Sequence, residues 1–220
     1  MSKCASKGPS PRPKLEATHP GGGEMRGGKD YVTNVLVVGV GGQGVILASD
    51  ILSEVAMRSG LDVKKSEVHG MAQRGGIVTS HVRFGKKVNS PLIPKGGAHL
   101  LLSFELAEAV RWIGFLAPGG KAIVNVQKLV PPIVSTGVAS YPEHAEHILR
   151  NMVQGPILVN GLEIAEELGN PRLVNTILLG VTSRLLALPE KIWRKVVEER
   201  VPRAFKELNL RAFDRGRSLL

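Results

Sequence analysis

The tightest constraint on this chain is a six-residue run, Gly39-Val40-Gly41-Gly42-Gln43-Gly44, wedged between an apolar tetrad and a helical stripe. Before it stands Val35-Leu36-Val37-Val38, a short continuous apolar run that suits a strand covered on both faces, as in a parallel sheet. After it, Leu47/Ala48, Ile51/Leu52 and Val55/Ala56 recur at helical spacing. They predict a helix over 43–58, ended by Gly60. Each glycine of G-x-G-x-x-G has a mechanical use. Gly39 permits a tight turn, Gly41 lets backbone approach a ligand, and Gly44 lets helix and strand pack closely. The helix N-terminus adds unpaired N–H groups and about half a positive charge. Two readings follow: a phosphate or pyrophosphate site on Gly39, Gly41, Gly42, Gln43 and Gly44, or a tight βα turn with no ligand. A nicotinamide dinucleotide also wants a carboxylate about 20 residues on for its ribose hydroxyls. Asp62 and Glu67 lie 18 and 23 residues beyond Gly44, and neither clearly ends a second strand, which weighs against a plain dehydrogenase.

The remaining pattern alternates strand and helix. Strands are expected at 62–68, 77–84, 88–93, 98–104, 121–126 and 156–160. Helices are expected at 105–115 (stopped by Pro118-Gly119-Gly120), 142–153, 162–168 and 173–188, with 127–137 irregular. This alternation predicts a single α/β domain over 31–188, Rossmann-like and three-layered, with a mostly parallel sheet. Residues 189–220 read as a C-terminal helical extension interrupted near Pro202. Residues 1–30 hold six Gly, four Pro and six Lys/Arg but almost no large apolar residue. Such a stretch cannot bury enough surface to offset its ordering entropy, so a disordered basic tail is expected there.

Composition removes several function classes. Cys4 is the single cysteine of 220 residues, so no internal disulfide, Cys-rich zinc site or iron–sulfur cluster can be built from this chain. The longest apolar runs reach about a third of the roughly 20 residues a bilayer span needs. No secretory signal is visible, and a cytoplasmic protein without a membrane partner is expected. The formal charge is +10. Six Lys/Arg against three Asp/Glu put +3 in residues 1–30, leaving +7 for the remainder. Neither a helix-turn-helix nor an aromatic stacking platform accompanies that charge, so nucleic acid is not an expected partner. His144 and His147, with Glu143 and Glu146, read as a solvated helix face rather than a metal site. His81 and His99 read as structural histidines within strands, and Trp112 and Trp193 as packing or subunit-contact residues. Ser66 and His69 lack the acidic orienter of a nucleophile pair.

The second informative stretch is Ser66-Glu67-Val68-His69-Gly70-Met71-Ala72-Gln73-Arg74-Gly75-Gly76. It belongs at the carboxyl end of the second strand, on the sheet edge where open α/β folds bind ligands. Arg74 can grip a phosphate or carboxylate bidentately, or contact another subunit. His69 can move a proton or bond a phosphate, or simply be a hydrogen-bonded loop histidine. Glu67 is a catalytic candidate beside His69, or a partner for Arg74.

These two loops in this order resemble the gamma-type subunit of the 2-oxoacid:ferredoxin oxidoreductases. The likeness runs from about Asn34 to Leu188. The segment His69-Gly70-Met71-Ala72-Gln73-Arg74-Gly75-Gly76 resembles the indolepyruvate branch, whereas a Gly-Pro-Glu-Arg-Arg-Gly type of loop is expected in the pyruvate and ketoisovalerate branches. Arg74 and Gly75 match the Arg-Gly shared by both.

The resemblance implies a subunit of an enzyme that oxidatively decarboxylates a 2-oxoacid, here an aryl pyruvate, to acyl-CoA and CO2 while reducing ferredoxin. It implies a hetero-oligomer with a larger alpha subunit that holds thiamine diphosphate, magnesium and iron–sulfur clusters. For this chain it leaves coenzyme A as the candidate ligand of Gly39–Gly44, Arg74 and Gly75, or a contact of the two loops with the large subunit. The alternatives are a free-standing nicotinamide-dinucleotide enzyme and a basic regulatory or nucleic-acid-binding protein.

Overall fold

The computed structural model describes residues 31–69, 76–129 and 141–220; the expected tail at 1–30 lies outside them. Six strands form one sheet: β1 (Thr33–Val40), β2 (Asp62–His69), β3 (Ile77–Gly85), β4 (Ala98–Ser103), β5 (Leu116–Asn125) and β6 (Ile157–Val159), in the order β2-β3-β1-β4-β5-β6. β1, β4, β5 and β6 pair in parallel. β3 pairs antiparallel with both β1 and β2. Only β3 therefore runs against the others, and the sheet is mostly parallel, as the alternation of elements predicts.

Helices cover both faces. α1 (Val45–Arg58), α4 (Gly161–Glu167), α5 (Val174–Leu185), α6 (Glu190–Arg200) and α7 (Lys206–Arg217) pack with Val35, Val37, Leu100, Leu102 and Ile123. α2 (Leu106–Trp112) and α3 (Ala145–Met152) pack with Leu36, Val38, Leu101, Ala122 and Val124. Successive residues of each central strand thus enter opposite apolar layers, which is why these strands read as unbroken apolar runs. None of the described helices is long and apolar enough to cross a membrane.

The structure corrects several expectations. No strand forms at 88–93. Side chains take the place of a ladder there: Asp62 accepts from the Val88 N–H at 2.8 Å, His81 Nδ1 accepts from the Ile93 N–H at 3.1 Å, and Arg83 donates to the Ser90 and Leu92 carbonyls. β5 begins at Leu116, and Pro118-Gly119-Gly120 form an irregularity inside the strand, where its register with β4 shifts. Gly119 takes φ +77°, a value that suits glycine. Leu47 is 41% exposed, so the buried stripe of α1 is Val45, Ala48, Ile51, Leu52, Val55 and Ala56.

The expected extension at 189–220 shares the main core. Trp193, Val196, Val197, Ala212 and Phe213 are fully buried in the layer that also holds Val35 and Leu52. α5 and α7 cross backbone to backbone. A Cβ on Gly216 would lie 2.0 Å from the Ile177 carbonyl oxygen, and one on Gly180 would lie 2.2 Å from that of Phe213.

Candidate functional site

β1 and β4 are adjacent and parallel, with Val38 opposite Ser103. The chain leaves β1 for α1 on one face and leaves β4 for α2 on the other. Their carboxyl ends are therefore a topological switch point, where an open α/β sheet leaves a crevice. One wall is Gly39–Gly44 and the other is Phe104-Glu105. The walls are held close: the Phe104 N–H donates to the Val38 carbonyl at 2.9 Å, and a Cβ on Gly39 would meet Phe104 Cβ at 2.9 Å and Val45 Cγ2 at 2.8 Å.

A set of amides fixes this rim. Gln43 Oε1 accepts from the Val40 N–H at 2.8 Å, while its Nε2 donates to the Phe104 carbonyl at 3.0 Å. Asn125 Nδ2 donates to the same carbonyl at 3.2 Å and to Gln127 Oε1 at 3.2 Å, and its Oδ1 accepts from the Gly161 N–H at 3.0 Å. The tips of β1, β4, β5 and β6 are thereby tied together, and Gln43 serves the loop's shape. Gly44 takes φ +84° as the N-cap of α1. Asn175, from α5, donates from Nδ2 to its carbonyl at 2.6 Å. Among the described residues no side chain caps α1, and its first turn holds no acidic residue to offset the positive end of its dipole. Gly42 takes φ +100°, and among the described residues nothing stands within 4 Å of where its Cβ would be.

The second loop reaches the same rim. β2 ends at His69, whose backbone pairs with Val78, and β3 starts at Ile77 opposite Val40. The Gly41 N–H donates to the Gly76 carbonyl at 2.8 Å. The glycine-rich loop and the end of the second loop are thus in direct contact, and one of the loop's amides is used in that contact. Arg74 and Gly75 lie outside the described residues. Glu67 is ion-paired with Lys65, which also pairs with Asp50 of α1. Asp62 sits at the opposite end of β2, held by Lys64 and the Val88 N–H at 2.8 Å each. The ribose-binding carboxylate of a dinucleotide site is therefore supplied by neither.

Sequence reasoning missed five neighbours of the crevice. Glu105 is buried, caps α2 through the Glu108 N–H at 2.9 Å, and accepts from the Tyr141 hydroxyl at 2.5 Å. Burial, and then the bond to Glu105, push the Tyr141 hydroxyl up from its ordinary pKa, so it stays a neutral donor. Burial likewise pushes the Glu108 carboxyl up, against the opposing pull of Arg111. Asn125 and Asn175 are the other two. Asn125 is a lone polar residue between Val124 and Val126, a signal the sequence did carry. Among the described residues, no three of His, Cys, Asp or Glu converge as a metal site.

With this geometry in place, comparison with known proteins is decisive. Residues 34–219 match the family described as pyruvate ferredoxin/flavodoxin oxidoreductase. The chain belongs to that family. The match includes α6 and α7, so the likeness extends past Leu188, in keeping with their place in the core. The chain is 43% identical to indolepyruvate oxidoreductase subunit IorB of Archaeoglobus fulgidus over 189 residues, 83% of this chain and 92% of that protein. Its fold is similar to the gamma subunit of a keto/oxoacid ferredoxin oxidoreductase from Geobacter sulfurreducens, with TM-score 0.63 and 26% identity over 85% of this chain and 97% of that one. It also shares a fold with part of the 2-oxoglutarate:ferredoxin oxidoreductase of Magnetococcus marinus, a structure with 2-oxoglutarate, coenzyme A and succinyl-CoA bound. There the TM-score is 0.63 and the identity 20%, over 86% of this chain and 31% of that one.

Proposed function

We propose that this chain is the small subunit of an indolepyruvate:ferredoxin oxidoreductase, and that its glycine-rich rim receives the anionic part of coenzyme A. The observation that carries the first statement is the 43% identity to subunit IorB across nearly the whole of that protein. In this reading the complex, in the cytoplasm, converts an aryl pyruvate and CoA to acyl-CoA and CO2 and passes two electrons to ferredoxin. A single cysteine in 220 residues cannot ligate a cluster, so the iron–sulfur centres fall to the larger subunit, to which the family resemblance also assigns thiamine diphosphate and magnesium.

What supports the second statement is the uncapped N-terminus of α1, opening beside Gly42 at the switch point. N–H groups and the helix dipole act there on a phosphate, with no carboxylate in the helix's own first turn to compete. Gly39, Gly41, Gly42, Gln43 and Gly44 shape and face that position. Arg74 and Gly75, which lie outside the described residues, are assigned to this ligand from the sequence alone, and His69 ends the strand on the same rim. Glu67, paired with Lys65, holds the edge strand to α1 and has a structural role. The +7 of residues 31–220 steers a polyphosphate, and an acidic ferredoxin, toward the complex; such charge acts mainly on association rate.

The test is co-expression with the larger subunit and assay of ferredoxin reduction by indolepyruvate and CoA. Complex formation with CoA-dependent activity, and a raised KM for CoA in Arg74→Ala, is the expected result. Failure to form any complex overturns the subunit reading. An intact complex in which Arg74→Ala leaves the KM for CoA unchanged overturns the assignment of the site alone.

A further inference from the structure

Asn175 stands out among the polar groups of the molecule. It is 8% exposed, sits on α5 some 131 residues from the loop it touches, and presses its carboxamide against Gly44. A Cβ on Gly44 would lie 2.4 Å from Nδ2. The orientation of the amide is fixed, because turning it over would set its oxygen against the Gly44 carbonyl. Oδ1 is left buried with no hydrogen-bond partner. A buried acceptor without a donor costs about 1–3 kcal/mol, so an orphan retained at the cap of the uncapped helix calls for a partner that arrives from outside.

We propose that Asn175 is a ligand contact: its Oδ1 accepts a hydrogen bond from a donor on the molecule whose phosphate sits on the N-terminus of α1. This rests on the reading of that N-terminus as an anion site and adds a requirement to it. A bare polyanion satisfies the helix but leaves Oδ1 orphaned. A phosphate ester with a hydroxyl or amide N–H near the phosphate satisfies both. The ligand class is therefore a nucleotide-like ester rather than a free polyphosphate. The bond from Nδ2 to the Gly44 carbonyl sets the carboxamide beside the first residue of α1, and among the described residues nothing stands within 4 Å of where a Cβ on Gly42 would be.

The experiment measures binding of coenzyme A and of inorganic pyrophosphate to the purified two-subunit complex by calorimetry, for wild type, Asn175→Ala and Asn175→Ser. The Ser variant keeps a donor for the Gly44 carbonyl and serves if Ala misfolds. The expected result is a CoA affinity about tenfold weaker in the variants, with pyrophosphate affinity within twofold of wild type. Equal loss for both ligands overturns the proposal, because Asn175 then only supports the loop. Unchanged affinity for both also overturns it. A wild-type complex that binds neither ligand overturns the anion-site reading itself, and this inference with it.

Discussion

Two sets of glycines shape this molecule, and they do opposite things. At the crossing of α5 and α7, Gly180 and Gly216 are small so that backbone can touch backbone; a Cβ on either would fall within 2.2 Å of a carbonyl oxygen. In the β1–α1 loop, Gly39 and Gly44 also make room, but for the side chains of Gln43, Phe104 and Asn175, while Gly42 meets none of the described residues. The first set closes a gap that nothing enters. The second frames a gap beside an uncapped helix end. Glycine count alone does not separate them; what stands opposite each missing side chain does.

This contrast can be broken by substitution. The largest effect on stability is expected at the crossing: Gly216→Ala forces a methyl group into the Ile177 carbonyl and costs about 3 kcal/mol, read as a lowered Tm. Coenzyme A affinity of the surviving folded complex stays at the wild-type value. Gly44→Ala comes next. Its φ of +84° and the contact with Asn175 cost about 2 kcal/mol, and here the KM for CoA rises as well. Gln43→Ala removes the acceptor for the Val40 N–H and one donor to Phe104, at about 1 kcal/mol, with a raised KM for CoA and an unchanged kcat. If Gly216→Ala and Gly44→Ala shift stability and KM in the same proportion, the two sets have one role and the contrast fails.

The smallest effect concerns pH. Glu108, beside the crevice on α2, has its carboxyl held above the usual value of 4.5, chiefly by burial. A raised folded-state pKa gives stability that is complete below the unfolded value and declines as pH rises toward the folded one. Glu108→Gln should therefore flatten the fall in Tm on going up from pH 4.5, leaving the Tm at pH 4 nearly unchanged. A variant whose Tm profile still parallels wild type above pH 4.5 assigns that titration elsewhere.

How much of this was legible follows from how local each signal is. The βα turn, the stripe of α1 and the mostly parallel sheet were readable because each depends on neighbours in sequence. That the end of the second strand lies on the same rim was readable too, since a strand's direction carries its end there. The reversed β3 was not, nor was the missing strand at 88–93: those backbone groups are satisfied by Asp62, His81 and Arg83, a choice no periodicity records. α6 and α7 read as an appendage because their strongly charged sequence hides how deeply Trp193 and Phe213 are buried. In the crevice, the turn of Gly39–Gly44 is local and legible, whereas Asn175 and Tyr141 enter from far along the chain.

The most direct test is hydrogen–deuterium exchange of the two-subunit complex with and without coenzyme A. The proposed site is the loop and first turn of α1, residues 41–47; the control is a cleft of about 290 Å³ at the other end of the sheet, lined by Pro118, Gly119, Lys121 and Met152. Slowed exchange at 41–47 on adding the coenzyme, with 116–121 unaffected, is the expected result. Protection at 116–121 with 41–47 unchanged contradicts it.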